Sequence, residues 1–261
     1  MRQTIVHDVG HWTISRIQFW NRIAWLATGC LNALLCLRVL NPAVGRVVIR
    51  QIYFTAIQAL PIVVFIALVI GSITVHYLLS ILTGLGAYDR IGGYLIAAIM
   101  HEVAPLGCSL ILLLRSGSAV IAEVALMKIN KELNSLQMLD IDIDSYIFLP
   151  RLLAFALSAV TLTFCFTLTA LLGGFFILGY FHDITFANYL DRIVDALHIE
   201  SFLIATTKPL LMGACVGLVA MEKGMRVERS FSEVPIRLIH GMMQGMAFIV
   251  AIEVFFVLVT S

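Results

Sequence analysis

Three ionisable residues stand inside runs that otherwise carry no charge: Glu102, Lys208 and Glu253. A charge deep in an apolar helix is costly unless it is paired or hydrated, so each marks a candidate functional position. Glu102 lies beside His101 and three residues before Pro105, and Lys208 directly precedes Pro209. The lengths of the surrounding apolar runs put all three charges at a similar depth, toward one end of their segments. Two readings are open. The charges form a cluster that shapes a polar cavity or binds a polar head group, or they are a purely structural Glu–Lys pairing.

Other chemistries fail on residue type. Asp140-x-Asp142-x-Asp144 opens like a calcium loop, but the sixth position is Ser145 and the twelfth is Arg151, where glycine and glutamate are needed. None of the His residues forms an H-E-x-x-H pattern, and Ser116-Gly117-Ser118 lacks the setting of a nucleophile elbow. Cys30, Cys36, Cys108, Cys165 and Cys215 lie in apolar segments with no C-x-x-C pair, so they read as small buried hydrophobes. No catalytic residue, metal site or cofactor is expected. No G-x-x-x-x-G-K-[ST] loop occurs, so any ATP-driven action requires a separate ATPase subunit.

The elements that must position these residues follow from composition. The chain has 261 residues, 61% hydrophobic and 13% charged, against about 25% charged in soluble domains. Apolar runs of about 20 residues are what a bilayer demands. The chain therefore reads as an all-α integral membrane protein, and its net charge of +1 argues against nucleic acid as a partner. Spans are expected near 52–80, with Pro61 kinking the first, then 93–114, from Tyr146 onward, 201–221 and 237–259. Between Arg151 and Asp183 lie 31 uncharged residues, roughly 46 Å as helix, so the third span must tilt or project.

Ile23–Leu37 is apolar but short, and Trp12, Trp20 and Trp25 cluster around it. This predicts an amphipathic helix lying in the membrane interface, with a sixth, short span as the alternative. The organisation expected is an N-terminal cytoplasmic segment, 1–50, and a five-span domain, 51–261, with a water-facing loop at 115–151. All of the 17 Lys and Arg except Arg90, Arg192 and Lys208 fall on one side of this map. The positive-inside rule then puts the N-terminus in the cytoplasm and the C-terminus outside. The early charges Arg2, His7, Asp8 and Arg16 leave no cleavable signal peptide apparent. Gly213-x-x-x-Gly217 and Gly241-x-x-x-Gly245 allow close helix approach, within one subunit or between two.

The stretch from His101 to Arg151 carries a resemblance. It holds His101-Glu102-Val103-Ala104-Pro105, then Arg115-Ser116-Gly117, then Ala122-Glu123-Val124-Ala125-Leu126-Met127. Glu132-Leu133-Asn134-Ser135-Leu136-Gln137-Met138-Leu139 and Pro150-Arg151 follow. This order and spacing resembles the MlaE/YrbE family, permease subunits of MCE-associated ABC transporters that move phospholipids or other lipids across the bacterial envelope. Lys208-Pro209 and Glu253 fall where that family has a lysine and often an acidic residue. His101 stands where the family has arginine, and Glu222–Arg229 with Ser230–Met243 is bulkier and more charged than the family's usual Gly- and Ala-rich stretch.

The resemblance implies a bacterial inner-membrane permease without its own ATPase. Its implied partners are a cytoplasmic ABC ATPase, an MCE-domain periplasmic protein, a second permease copy and phospholipid. Glu102, Lys208, Glu253 and His101 would shape the lipid cavity. Residues from about Ile129 to Asp140, with Leu133, Leu136 and Leu139 on one face, would form the coupling helix that seats on the ATPase, with Glu123, Glu132 and Met138 contributing. By residue pattern alone, that segment reads equally as a loop helix lying on the membrane. The rival function is an ion-driven secondary transporter or channel, which predicts internal repeats and a charged path through the bilayer. Neither is seen.

Overall fold

The computed structural model describes residues 2–35, 42–87, 90–178, 185–227 and 230–260, with side chains of the first helix described from Phe19 onward. Cys36, Asp89, Asp183, Glu228 and Arg229 lie outside these residues, as do the side chains of Arg2, Trp12 and Arg16. No strand occurs among the described residues. Among the described residues, five helices are long and apolar enough to cross a membrane: Val44–Gly84, Ile91–Ile129, Asp144–Phe176, Ile199–Met225 and Glu233–Val259. They are spans one to five.

Span one begins earlier than its apolar run, because the Pro42–Thr55 helix carries Arg46 and Arg50 into it. A 3-10 turn at Ile57–Ala59 then separates it from Leu60–Gly84, with Pro61 in the first turn of the second piece. That is where a proline's missing N–H does no harm, so the break predicted at Pro61 falls just ahead of it.

Span two is a rod of 39 residues, and it does not stop at Arg115. Nothing between Arg115 and Ile129 breaks a helix, and Ala, Leu and Met favour its continuation. The expected 115–151 loop, read as water-facing with helical stretches, therefore gives its first 15 residues to the span-two rod. Two stretches of the rod, Ile96–Val103 and Leu113–Gly117, are π-helical. Ala104 N–H donates to the Ile99 carbonyl, five residues back. Such turns recur at functional positions, and these two hold His101, Glu102 and Arg115.

Spans one, three, four and five pack in that order, with span two against three, four and five. The Phe186–Ala196 helix covers the start of span two, and its buried Tyr189 hydroxyl donates to the Leu171 carbonyl at 3.1 Å. Both small-residue pairs serve packing within the chain. A Cβ on Gly213 would stand 2.5 Å from the Phe155 carbonyl oxygen, and one on Gly245 would stand 2.5 Å from Leu113 Cδ1. Two apolar cores result, one around Val75, Leu95, Phe166 and Tyr189, the other around Leu113, Ile121, Phe148 and Met221.

The N-terminal helix is longer than its apolar run, Arg2–Leu35. Phe19, Leu26, Cys30 and Ala33 are buried, while Trp20 and Trp25 are exposed. Spacings of seven, four and three residues put the buried set on one stripe. That stripe packs on span four and the beginning of span three.

Candidate functional site

Lys208 sits between Ala205 of the first core and Met212 of the second, and its side chain is only 1% exposed. An ammonium has three protons to donate, and all three find acceptors. Lys208 Nζ donates to Glu102 Oε2 at 3.0 Å, to Glu253 Oε1 at 3.0 Å and to the His101 carbonyl at 2.7 Å. The three embedded charges thus meet at one point, drawn from spans two, four and five.

The His101 carbonyl is available for a local reason. Pro105, four residues on, has no N–H to give it. The proline that follows the acidic residue therefore opens an acceptor, and Lys208 takes it. His101 enters the cluster through its backbone; its Nε2 is buried without a partner. Glu253 is 13% exposed and Glu102 40% exposed. With two carboxylates against one ammonium, the cluster is acidic when both are ionised, and Glu102 is its accessible face.

The segment expected to couple to an ATPase is a shorter helix than predicted, Glu132–Met138. Left-handed backbone at Lys131 (φ 59°) and Asp140 (φ 57°) brackets it. Leu133 is buried and Leu136 packs on the second core. Leu139 does not share their face: the helix has ended, and Leu139 and Met138 are exposed, Met138 by 87%. Glu132 accepts from Asn130 Nδ2 at 3.2 Å. Glu123 lies apart from this helix, paired with Arg151 at 2.9 Å.

A second buried cluster was not legible as such in the sequence. Glu222 and Lys223 fall just beyond the expected span 201–221, but span four continues to Met225 and buries both. Glu222 pairs with Lys223 at 3.4 Å and with Arg226. Lys223 Nζ lies 4.8 Å from the Phe19 ring centroid, so this cluster docks the N-terminal helix. The available signal was Glu222 and Arg226 at helical i,i+4 spacing. Lys128 Nζ donates to the Met225 carbonyl, closing the end of span four.

These features define a polytopic helical membrane protein with an ion-paired cluster held between its spans. The Permease MlaE family model matches residues 48–259, and the chain belongs to that family. Similar curated proteins include a probable ABC transporter permease protein of Rickettsia prowazekii, 21% identical over 84% of this chain and 83% of its own length. The intermembrane phospholipid transport system permease protein MlaE of Haemophilus influenzae is 28% identical over 48% of each chain. A probable ABC transporter permease protein of Synechocystis is 26% identical over 54% of this chain and 53% of its own length.

Proposed function

We propose that this chain is the membrane subunit of an ATP-driven ABC transporter that moves phospholipid or a related lipid across the bacterial cell envelope. The single observation that carries the reading is the Glu102–Lys208–Glu253 cluster. It is a polar point among apolar spans, with Glu102 accessible, which suits an amphiphile whose head group needs polar contact while its chains do not. Family membership and the names of the Rickettsia and Haemophilus relatives, an ABC transporter permease and a phospholipid transport permease, support the same reading.

The subunit lies in the inner membrane with its N-terminus cytoplasmic and its C-terminus periplasmic. Its Arg2–Leu35 helix lies in the cytoplasmic interface, with Trp20 and Trp25 toward the head groups. A cytoplasmic ABC ATPase seats on the Glu132–Met138 helix, where Met138 and Leu139 are exposed for contact. An MCE-domain protein receives or delivers lipid at the periplasmic side, and a second permease copy completes the cavity. ATPase closure is transmitted through Glu132–Met138 into spans two and three, and the cavity narrows around the lipid.

Copurification followed by reconstitution tests this. The expected result is a stable complex with an ATPase subunit, and lipid transfer that requires ATP and persists when ion gradients are collapsed. Transfer driven by an ion gradient without an ATPase would replace this reading with the secondary-transporter one.

A further inference from the structure

A cavity of about 640 Å³ opens among the Pro42–Thr55 helix and spans two and three. That size is within the range of small-ligand sites. Arg50, Arg115 and Arg151 line it, and Glu123 is the one acidic residue in its wall. With all four ionised, the wall carries three positive charges against one negative. This is the opposite sign to the Glu102–Lys208–Glu253 cluster. Arg115 is thirteen residues along span two from Glu102, about 20 Å of helix, so the two sites are separate.

The arginines are held in place by different contacts. Arg115 Nη1 donates to the Phe54 carbonyl and Nη2 to Gln58 Oε1, each at 3.0 Å. Phe54 is in the last turn of its helix, where carbonyls lack intrahelical partners. Arg50 stacks over the Phe54 ring with 5.7 Å to the centroid. Arg151 is the deepest. Its side chain is 6% exposed, and Nη2 pairs with Glu123 Oε1 at 2.9 Å. Arg151 Nη1 is buried with no partner.

A guanidinium donor left unmade in the interior is an exception among native proteins, and it points to a missing acceptor. Guanidinium forks match the oxygens of phosphate. The surroundings add a second requirement. Phe54 and Tyr146 in the wall are exposed apolar side chains on helices that belong to spans, as are Ile57 and Leu114, next in sequence to the lining residues Gln58 and Arg115.

We propose that this pocket binds a phosphate-bearing anion through Arg50, Arg115 and Arg151, with an anionic lipid as its source, the phosphate in the pocket and the chains along Phe54, Ile57 and Leu114. The site is separate from the proposed transport cavity and does not depend on that function. Leu136 of the Glu132–Met138 helix also lines the pocket, so a bound head group ties that helix to spans one, two and three.

The experiment is equilibrium binding to the purified full chain in neutral detergent, with thermal stability read in parallel. The probes are short-chain phosphatidic acid, phosphatidylglycerol, phosphatidylcholine and inorganic phosphate. The expected result is saturable binding of the anionic lipids, a raised melting temperature, and phosphatidylcholine binding at least about tenfold weaker for lack of net charge. Arg151→Met is expected to abolish binding. Because that variant also strands Glu123, Arg50→Gln is the second probe. Arg50 is exposed and makes no ion pair with the core, so its loss is expected to weaken binding about tenfold and leave folding intact. Arg90→Gln, at the far end of span two, is expected to keep full affinity. Phosphate binding that competes with the lipid at equal occupancy supports the anion site with free phosphate as its source. Equal binding of all three lipids, or anionic-lipid affinity unchanged in Arg50→Gln, overturns the proposal.

Discussion

Replacing Lys208 with methionine tests whether the embedded charges hold one another. The change keeps an unbranched apolar stem, one atom shorter, and removes one ammonium. Three acceptors lose their donor together: Glu102, Glu253 and the His101 carbonyl. Glu253 dominates the loss, because at 13% exposure it cannot recover hydration. Glu102, 40% exposed, recovers part of its own. The His101 carbonyl cannot return to its helix, since Pro105 has no N–H to offer.

Stranding a buried charge by removing its partner costs about 3–5 kcal/mol. The carbonyl adds at most about 1–3 kcal/mol, less where the helix relaxes around it. At about 1.4 kcal/mol per tenfold, Lys208→Met is expected to lower the folded-to-unfolded ratio by at least a hundredfold. The triple variant Lys208→Met, Glu102→Gln, Glu253→Gln removes every charge, and is expected to recover most of that loss. Reversible unfolding in mixed detergent measures both. A triple variant as damaged as the single one would refute the reasoning, as would a single variant losing less than about 1 kcal/mol. Lipid transfer by the folded triple variant then separates structure from function: loss is expected if the charges meet the head group.

Gly213→Ala is expected to cost about 1–3 kcal/mol, because the new Cβ stands 2.5 Å from the Phe155 backbone oxygen, which cannot move aside. Gly93→Ala, with open space around it, is expected to be neutral or to gain up to about 1 kcal/mol in the same unfolding measurement. Leu133→Ala should cost about 2–5 kcal/mol from the second core, whereas exposed Met138→Ala should stay within about 0.5 kcal/mol yet reduce ATPase-coupled transfer; full coupling in Met138→Ala would remove that residue from the contact. Phe19→Ala removes the ring beneath Lys223 and Arg226, and increased proteolysis confined to the N-terminal helix is the expected readout.

What the sequence made legible was whatever a bilayer prohibits. Glu102, Lys208 and Glu253 stood out because charges are scarce inside apolar runs, and their similar depth left a shared cluster and a simple Glu–Lys pair both open. What it hid was whatever depends on helix continuation. Arg115 looked like the end of span two because a charge usually marks the membrane surface, yet the backbone carries no breaker there and continues to Ile129. Glu222 and Lys223 looked exposed for the same reason, although a neighbouring aromatic from a distant helix covers them. The Glu132–Met138 helix was found by its leucines, but its end was set by left-handed backbone at Asp140, and no residue pattern announced that. The arginine pocket needs three elements to converge, and spacing along one chain does not report convergence.

The continuity of span two bears on how a push at one end would travel along the chain. Both charged sites sit on the same rod, at Glu102 and Arg115, and both fall in its π-helical turns. A π turn has one backbone hydrogen bond fewer than the α-helix around it, so bending there costs less than elsewhere in the rod. In each turn a side chain takes up a carbonyl: Lys208 holds that of His101, and Ser118 Oγ donates to that of Leu114 at 2.6 Å, while Arg115 ties the second turn to the Phe54 carbonyl and Gln58 of span one. If the Glu132–Met138 helix receives the ATPase stroke, it does so just past the rod's end, separated from Ile129 by the left-handed Lys131. The compliant points are then the two π turns, and the force that moves one must break or reform contacts made by Lys208 or Arg115. On that reasoning the embedded lysine is a latch, and its ion pairs should be weaker in one transport state than in the other.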